Sequence, residues 1–223
     1  MFDFDTFRQQ CRDLAHAGLT GTGVDKSTAV VALLGAVYEH CEETLRQWQE
    51  GKESLPIACG PGCGTCCMVN VAVLEPEVIG IAHYVRQNFS GQVRRELKER
   101  LLQLAREVRW LDEEERLFVR RSCAFLDDRE NCSIWPQRPL MCRAITSTDA
   151  HACREALAAP VFGEEKPVVM NLVQRKIYEA AFQGLGDAMQ ALGIDARSSR
   201  LSCAASELLC ESGGVENLSP GLA

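Results

Sequence analysis

The first fifty residues carry apolar side chains at helical spacing. One stripe runs from Phe4 to Leu14 and a second from Val30 to Trp48, with a break at residues 20–23 between them. Apolar residues that recur every three or four positions lie on one face of an α-helix. Gly51 stands where the second helix is expected to stop. The pattern predicts an antiparallel pair of helices in residues 1–55.

Helical periodicity returns later in the chain. Residues 92–110 carry a leucine and valine stripe among many charges. Pro167 is expected to open a long helix, which Gly184 and Gly186 should weaken or bend, because glycine is a poor helix former. A short final helix is expected at residues 203–211.

Between the helical segments lie two cysteine-rich stretches without periodicity, residues 56–67 and 122–153, which we expect to be loops. Val69, Val71 and Val73 alternate with other residues, which allows one short extended piece. The fold class predicted is mainly α, with helices packed around a cysteine-rich irregular loop region and at most a short strand pair.

Three parts of the chain are expected to form one compact unit. They are an N-terminal helical hairpin at residues 1–55, a cysteine-rich metal-binding domain at 56–156 and C-terminal helices at 157–223.

Charge and hydrophobicity exclude several classes of partner. The net charge of −7 is spread along the chain, and phosphate binding needs a basic face, so we expect no nucleic-acid partner. No stretch approaches the length of a membrane span, so no membrane association is expected. The N-terminus lacks the basic start and apolar run of a signal peptide, which predicts a cytoplasmic protein. Cysteines stay reduced in that compartment, so the twelve cysteines favour metal over disulfides.

The first cysteine cluster reads Cys59-Gly-Pro-Gly-Cys63-Gly-Thr-Cys66-Cys67. Thiolates two or three residues apart can bind one ion, because the turn between them points both sulfurs inward. The glycines leave backbone N–H groups free to approach the sulfurs and tune a bound metal. Cys66 and Cys67 are adjacent, and neighbouring side chains diverge. Either two metal sites share this loop, or one site is accompanied by a free thiol.

The second cluster contains Cys123, Cys132 and Cys142. Residues 127–131 have the composition of a turn, so Cys123 and Cys132 are expected to face each other across a hairpin-like loop. His151 and Cys153 follow; a solvent-facing loop position is expected for the histidine, although it could replace a sulfur.

Arg138 and Arg143 place positive charge beside these thiols. They could compensate the charge of a thiolate cluster or anchor an anionic cofactor or ligand. Alternatively, they form ion pairs with Asp127, Asp128 or a nearby glutamate.

The candidate metal ligands are eight cysteines, enough for two four-coordinate ions or for an iron–sulfur cluster with spare thiols. They are Cys59, Cys63, Cys66, Cys67, Cys123, Cys132, Cys142 and Cys153. Cys11 and Cys41 fall on apolar helix stripes and are expected in the core, and packing is also expected for Cys203 and Cys210.

Both clusters together resemble the CxxCxxCC family, also called YkgJ-like, whose members are described as zinc- or iron-chelating proteins. The glycine-rich cluster matches the first family motif, although its first spacing is one residue longer. Cys123-Ala-Phe-Leu126, Cys132-Ser-Ile134, Arg138-Pro139 and Cys142-Arg143 match the second, although Trp135 stands where the family has tyrosine.

The resemblance implies a metal-binding protein that holds zinc or iron, including iron in an iron–sulfur cluster. Two alternatives stay open. One is an iron–sulfur redox or methyl-transfer enzyme related to flagellin lysine N-methylases, which are similar in their cysteine motif. The other is an interaction module that uses structural zinc to display its helices. No catalytic residue or protein partner is assigned.

Replacing Cys63 or Cys142 with serine is expected to abolish metal retention, because each removes a thiolate from one of the two clusters. The control is Cys11→Ala, which should leave the metal in place. Elemental analysis of each desalted variant measures the bound metal, and equal metal content in all three would contradict the assignment.

Overall fold

A computed structural model describes residues 2–21, 25–50 and 56–210 of the chain, and it confirms that the fold is mainly α. The described part also contains three single-turn 3-10 helices, at Thr65–Met68, Trp135–Gln137 and Ala159–Phe162. None of the described helices combines the length and the apolar character that a membrane span requires. In chain order the elements are α1 (Phe4–Thr20), α2 (Lys26–Gln49), β1 (Ala72–Val73), α3 (Glu75–Asn88), α4 (Gly91–Val108), α5 (Glu113–Phe118), α6 (Leu140–Ala144), α7 (Ala150–Ala158), α8 (Leu172–Ala191), β2 (Ser199–Arg200) and α9 (Leu201–Cys210).

The antiparallel helix pair predicted near the N-terminus is present as α1 and α2. The Phe7 ring near the start of α1 stacks on His40 late in α2, with 4.9 Å between ring centroids. At the other end of α1, Gly18 lies against Leu33, early in α2. Cys11 is fully buried between the helices, as expected for a core cysteine. The helix stop expected at residue 51 lies outside the described residues.

The long C-terminal helix begins later than expected. Pro167 precedes an extended segment, and α8 starts only at Leu172, where the Asn171 side chain accepts from the N–H of Gln174. The extended segment is held by neighbouring chain, because the Thr148 N–H donates to the Val169 carbonyl at 3.1 Å. A helix beginning at Pro167 would lose this contact and the cap.

The two glycines expected to weaken α8 do not interrupt it, since the helix runs unbroken to Ala191. Gly184 instead lies where the backbone of α1 approaches closely. A Cβ atom built on Gly184 would lie 2.6 Å from the Arg8 carbonyl oxygen and 2.9 Å from the Arg12 nitrogen. Gly184 therefore permits a close approach of two helix backbones, which a propensity argument alone does not detect.

Two apolar clusters form the interior of the described part, and α3 contributes to both. Ile79 belongs to the cluster that contains residues of α1, α2, α6 and α8, whereas Ile81 and Val85 belong to the cluster that contains residues of α4 and α9. The second cluster also contains Phe125 and Ile134, which flank the second set of cysteines. The cysteine-rich region therefore packs against this apolar cluster.

The sequence predicted at most one short pair of strands. The structure contains an antiparallel pair of β1 and β2, in which Ala72 lies opposite Arg200. Residues 122–153, which were expected to be loop-like, also contain α6 and the start of α7. Cys142 lies on α6 and Cys153 lies on α7. In the glycine-rich cysteine loop, Cys66 lies on a 3-10 turn. Helices this short contain too few turns to show a periodic stripe.

Gly184→Ala is expected to destabilise the fold by about 1–3 kcal/mol, because the new methyl group meets backbone atoms that cannot move aside. Gly186→Ala in the same helix is the matched control. Its Cβ would meet only Leu74 Cδ1, at 3.8 Å. That variant should gain up to about 1 kcal/mol from alanine's better helix propensity. Urea unfolding midpoints measure both, and a Gly184 variant as stable as the Gly186 variant would contradict the packing argument.

Candidate metal centre

Backbone N–H groups join the glycine-rich loop (residues 59–67) to the second cysteine block (residues 122–153). These hydrogen bonds lie at both ends of the loop. The Ala58 N–H donates to the Ser147 carbonyl at 2.8 Å, and the Ser147 N–H donates to the Cys59 sulfur at 3.2 Å. At the other end, the Cys123 N–H donates to the Cys67 carbonyl at 2.8 Å. Two stretches of chain that are distant in sequence therefore lie side by side.

The second block folds as the hairpin-like loop that its composition predicted. The Asp127 carboxylate accepts from the N–H groups of Arg129 and Asn131 and so closes the turn. Below the turn, the Ser133 N–H donates to the Phe125 carbonyl at 2.8 Å. This pairing brings Cys123 and Cys132 to the same side of the loop.

One cavity of about 290 Å³ collects thiols from both blocks. Its walls are mainly apolar, and Leu101, Leu104 and Ile134 contribute to them. Cys153 does not line it, but lies close enough to Cys59 for their charges to interact. Seven of the eight candidate ligands line this cavity, namely Cys59, Cys63, Cys66, Cys67, Cys123, Cys132 and Cys142.

The chemistry of these donors fits zinc or iron. Thiolates are soft ligands that favour zinc, iron and iron–sulfur clusters over magnesium or calcium, which take oxygen. Within residues 2–21, 25–50 and 56–210, however, no three cysteine, histidine or acidic side chains are arranged to hold one ion together. The thiols share a cavity, and their side chains would have to rotate to bind a common metal.

Burial keeps most of these thiols protonated. It raises the pKa of Cys123 to about 11 and also raises the pKa values of Cys132 and Cys142. Backbone N–H groups oppose the effect, from Phe125 at Cys123 and from Ile134 at Cys132. A charged thiolate is costly in an apolar wall unless a cation accompanies it. The cavity therefore favours thiolates only together with a positive charge.

The adjacent thiols Cys66 and Cys67 behave differently from each other. A hydrogen bond from the Cys67 thiol lowers the pKa of Cys66 to about 6, and the Arg138 guanidinium also lowers it. The same hydrogen bond raises the pKa of Cys67, because it favours the protonated form of the donor.

The structure separates the two arginines proposed to bind an anionic group. Arg138 lines the cavity, stacks over the Trp135 ring at 5.1 Å and donates to the Cys142 carbonyl. Arg143 does not line the cavity. It forms the glutamate ion pair that was the alternative, with 2.8 Å between its guanidinium and the Glu42 carboxylate.

Other polar residues considered from the sequence lie away from the cavity. His151 is exposed on α7, with its Nδ1 atom 3.8 Å from the Glu155 carboxylate. Cys203 is partly buried next to Ser202 and does not line the cavity, and the side chain of Cys210 lies outside the described residues.

Arg116 lines the cavity although no sequence pattern indicated it. It is only 2% exposed on α5, and its neighbours Glu113 to Glu115 give that helix the composition of a solvated segment. Only its burial in the structure distinguishes it.

A buried carboxylate connects the site to the rest of the fold. The Glu77 side chain accepts from the N–H of Leu74 at 2.9 Å and from the N–H of Leu140 at 2.8 Å. These bonds join the start of α3 to the start of α6, the helix that carries Cys142. Burial raises the pKa of Glu77 to about 7.

Comparison with known protein families gives a match to the cysteine-rich part of the chain. Residues 58–161 match the CxxCxxCC family, described as "Putative zinc- or iron-chelating domain". No curated protein and no solved structure matches the chain. The match covers both cysteine blocks, the hairpin between them and α7.

Glu77 should make stability depend on pH. Its pKa in the folded state lies above the ordinary value of 4.5. The folded state therefore binds this proton more tightly than the unfolded state does. The contribution of Glu77 to the free energy of unfolding is complete below pH 4.5 and is lost as the pH rises through about 7. The free energy of unfolding of the unaltered chain, measured by urea at pH 5 and pH 8, should fall more over that range than in Glu77→Gln.

Glu99→Gln, at an exposed position on α4, is the control for this measurement and should keep the pH dependence of the unaltered chain. Equal slopes in the Glu77 and Glu99 variants would show that Glu77 is not the titrating group.

Proposed function

We propose that this chain, whose residues 58–161 match the CxxCxxCC family, binds zinc or iron in the thiol cavity as a centre of more than one metal ion. The observation that carries the proposal is the bond from the Cys123 N–H to the Cys67 carbonyl, because it joins the two blocks beside one cavity. Seven thiols on that cavity exceed the four that one tetrahedral ion takes.

The volume of the cavity favours the same conclusion. At about 290 Å³ it is roughly twice the ~150 Å³ of a well-known engineered cavity that holds benzene. A single ion bound by four sulfurs would leave much of this space and three of its thiols unused. Two ions, or one iron–sulfur cluster, would use them.

The electrostatic neighbours of the thiols divide them into two groups of four. In the inner group, Cys67 interacts with Cys123 and Cys142, and Cys142 interacts in turn with Cys132. In the outer group, Cys59 interacts with Cys63, Cys66 and Cys153. We assign one metal position to each group. Cys66 also interacts with Cys67, Cys132 and Cys142 of the inner group, so we assign it to the boundary between the two groups.

This division gives the adjacent cysteines separate roles. Cys67 belongs to the inner group and Cys66 to the outer group, so their diverging side chains would serve different ions. Binding would break the hydrogen bond between the two thiols. The metal would supply the positive charge that the buried thiolates require, and protons would be released as it binds.

An iron–sulfur cluster is the second candidate. The mainly apolar wall, with Leu101, Leu104 and Ile134, limits the access of water to a bound centre. Such shielding affects the reduction potential of a cluster. In this form the inner group would supply the four thiolates.

Anaerobic purification followed by elemental and sulfide analysis tests the proposal. We expect at least two metal ions per chain, either colourless with zinc or brown with iron and inorganic sulfide. Cys132→Ser should lose the inner metal and Cys59→Ser the outer one, which leaves about half of the zinc in each variant. On this proposal Cys63→Ser and Cys142→Ser should likewise keep about half of the metal, whereas the sequence alone predicted complete loss.

Cys203→Ser is the matched control, because this thiol is partly buried outside the cavity and should leave the metal content unchanged. A single ion per chain that Cys59→Ser does not affect would rule out the outer position. A chain that takes up neither zinc nor iron would rule out the proposed function.

A further inference from the structure

We infer that Arg116 is a positioning residue that supplies buried positive charge to the inner group and so selects a metal centre whose total charge is negative. The inference rests on the proposed function and concerns the charge of the site. Arg116 lines the cavity wall beside the inner group, yet it lies outside both cysteine motifs.

The guanidinium of Arg116 is buried without a carboxylate partner in the described part of the chain. The side chain donates to two backbone carbonyls, those of Val119 and Arg121. No acidic group of the described residues lies within ion-pair distance of it. Carbonyl dipoles solvate a guanidinium but do not neutralise its charge.

The negative charges of two glutamates act on Arg116 from beyond ion-pair distance, and neither glutamate forms an ion pair with its guanidinium. The Glu107 carboxylate is engaged by the Arg121 guanidinium at 2.6 Å. Glu113 is exposed at the start of α5. The largest effect of an opposite charge on Arg116 comes from the thiolate form of Cys123, ahead of both glutamates.

A buried charge that lacks an opposite charge is costly, so the neighbouring cavity is expected to supply one. Neutral thiols cannot do so. A divalent zinc or iron ion with four thiolates carries a net charge of −2, and two arginines, Arg116 and Arg138, line the cavity. Their charges balance such a centre. The third cation near Cys123, Arg100, is exposed and donates to the Leu126 carbonyl without lining the cavity.

The test compares three variants with the unaltered chain. Arg116→Gln removes the charge and keeps a donor for a carbonyl, whereas Arg116→Lys keeps the charge. Arg200→Gln is the matched control, because Arg200 also donates to two backbone carbonyls, of Val108 and Arg109, but does not line the cavity.

Zinc affinity is measured by competition with a chromophoric chelator. Arg116→Gln should weaken zinc binding by about 10–100-fold, the usual effect of altering a group next to metal ligands. Arg116→Lys should stay closer to the unaltered chain, and Arg200→Gln should equal it.

Cobalt(II) absorption gives a readout that a purely structural role would not change. The intensity of the sulfur-to-cobalt charge-transfer band follows the number of bound thiolates. We expect it to fall in Arg116→Gln and to persist in Arg116→Lys. If Arg116→Gln does not fold, Arg138→Gln should show the same losses.

Equal zinc affinities for Arg116→Gln and Arg200→Gln would overturn the inference, as would equal losses in Arg116→Gln and Arg116→Lys. In either case the unaltered chain still binds zinc and the proposed function stands. An unaltered chain without zinc or cobalt binding would instead overturn the proposed function, and this inference with it.

Discussion

The candidate site depends on the pinning of the glycine-rich loop to the second cysteine block by backbone hydrogen bonds. A short loop of glycines and thiols has little apolar surface with which to hold itself in place. The bonds from Cys123 to Cys67 and from Ala58 to Ser147 fix both of its ends. Since buried backbone groups must be paired, moving the loop away would leave donors and acceptors unsatisfied at both places. The loop therefore brings its thiols to the cavity through hydrogen bonds of the chain itself.

The surrounding fold makes that cavity unusual, because it is apolar and rich in thiols at once. Helix α3 packs into both apolar clusters, and its buried Glu77 holds the start of α6. The cysteines are thus attached to rigid parts of the core, while the cavity beside them is lined by leucine and isoleucine. In such surroundings a thiolate is unstable alone and stable beside a cation. Apolar packing and metal binding are then complementary, since the wall that disfavours free thiolates strengthens their attraction to a bound ion.

Periodicity located the long helices well, because each buries one face over several turns. It failed where other forces set the structure. The start of α8 is decided by the Asn171 cap and by a hydrogen bond from Thr148, which joins residues distant in sequence. Gly184 reads as a weakness in a helix and is instead the contact point of two backbones. Helices as short as α6 and α7 are held by their neighbours and carry no periodic stripe of their own.

The sequence by itself determined the mainly α architecture, the eight candidate thiols and their soft-metal chemistry, because helical period and cysteine spacing are local properties of the chain. Only the tertiary structure decided which groups share a cavity. Arg138 lines the thiol cavity, and so does Arg116, which the sequence did not indicate. Arg143 forms an ion pair with Glu42, and Cys153 lies outside the cavity wall. The physical reason is that a side chain's charge partner and burial depend on which distant segments pack against it, and spacing along one segment does not encode them.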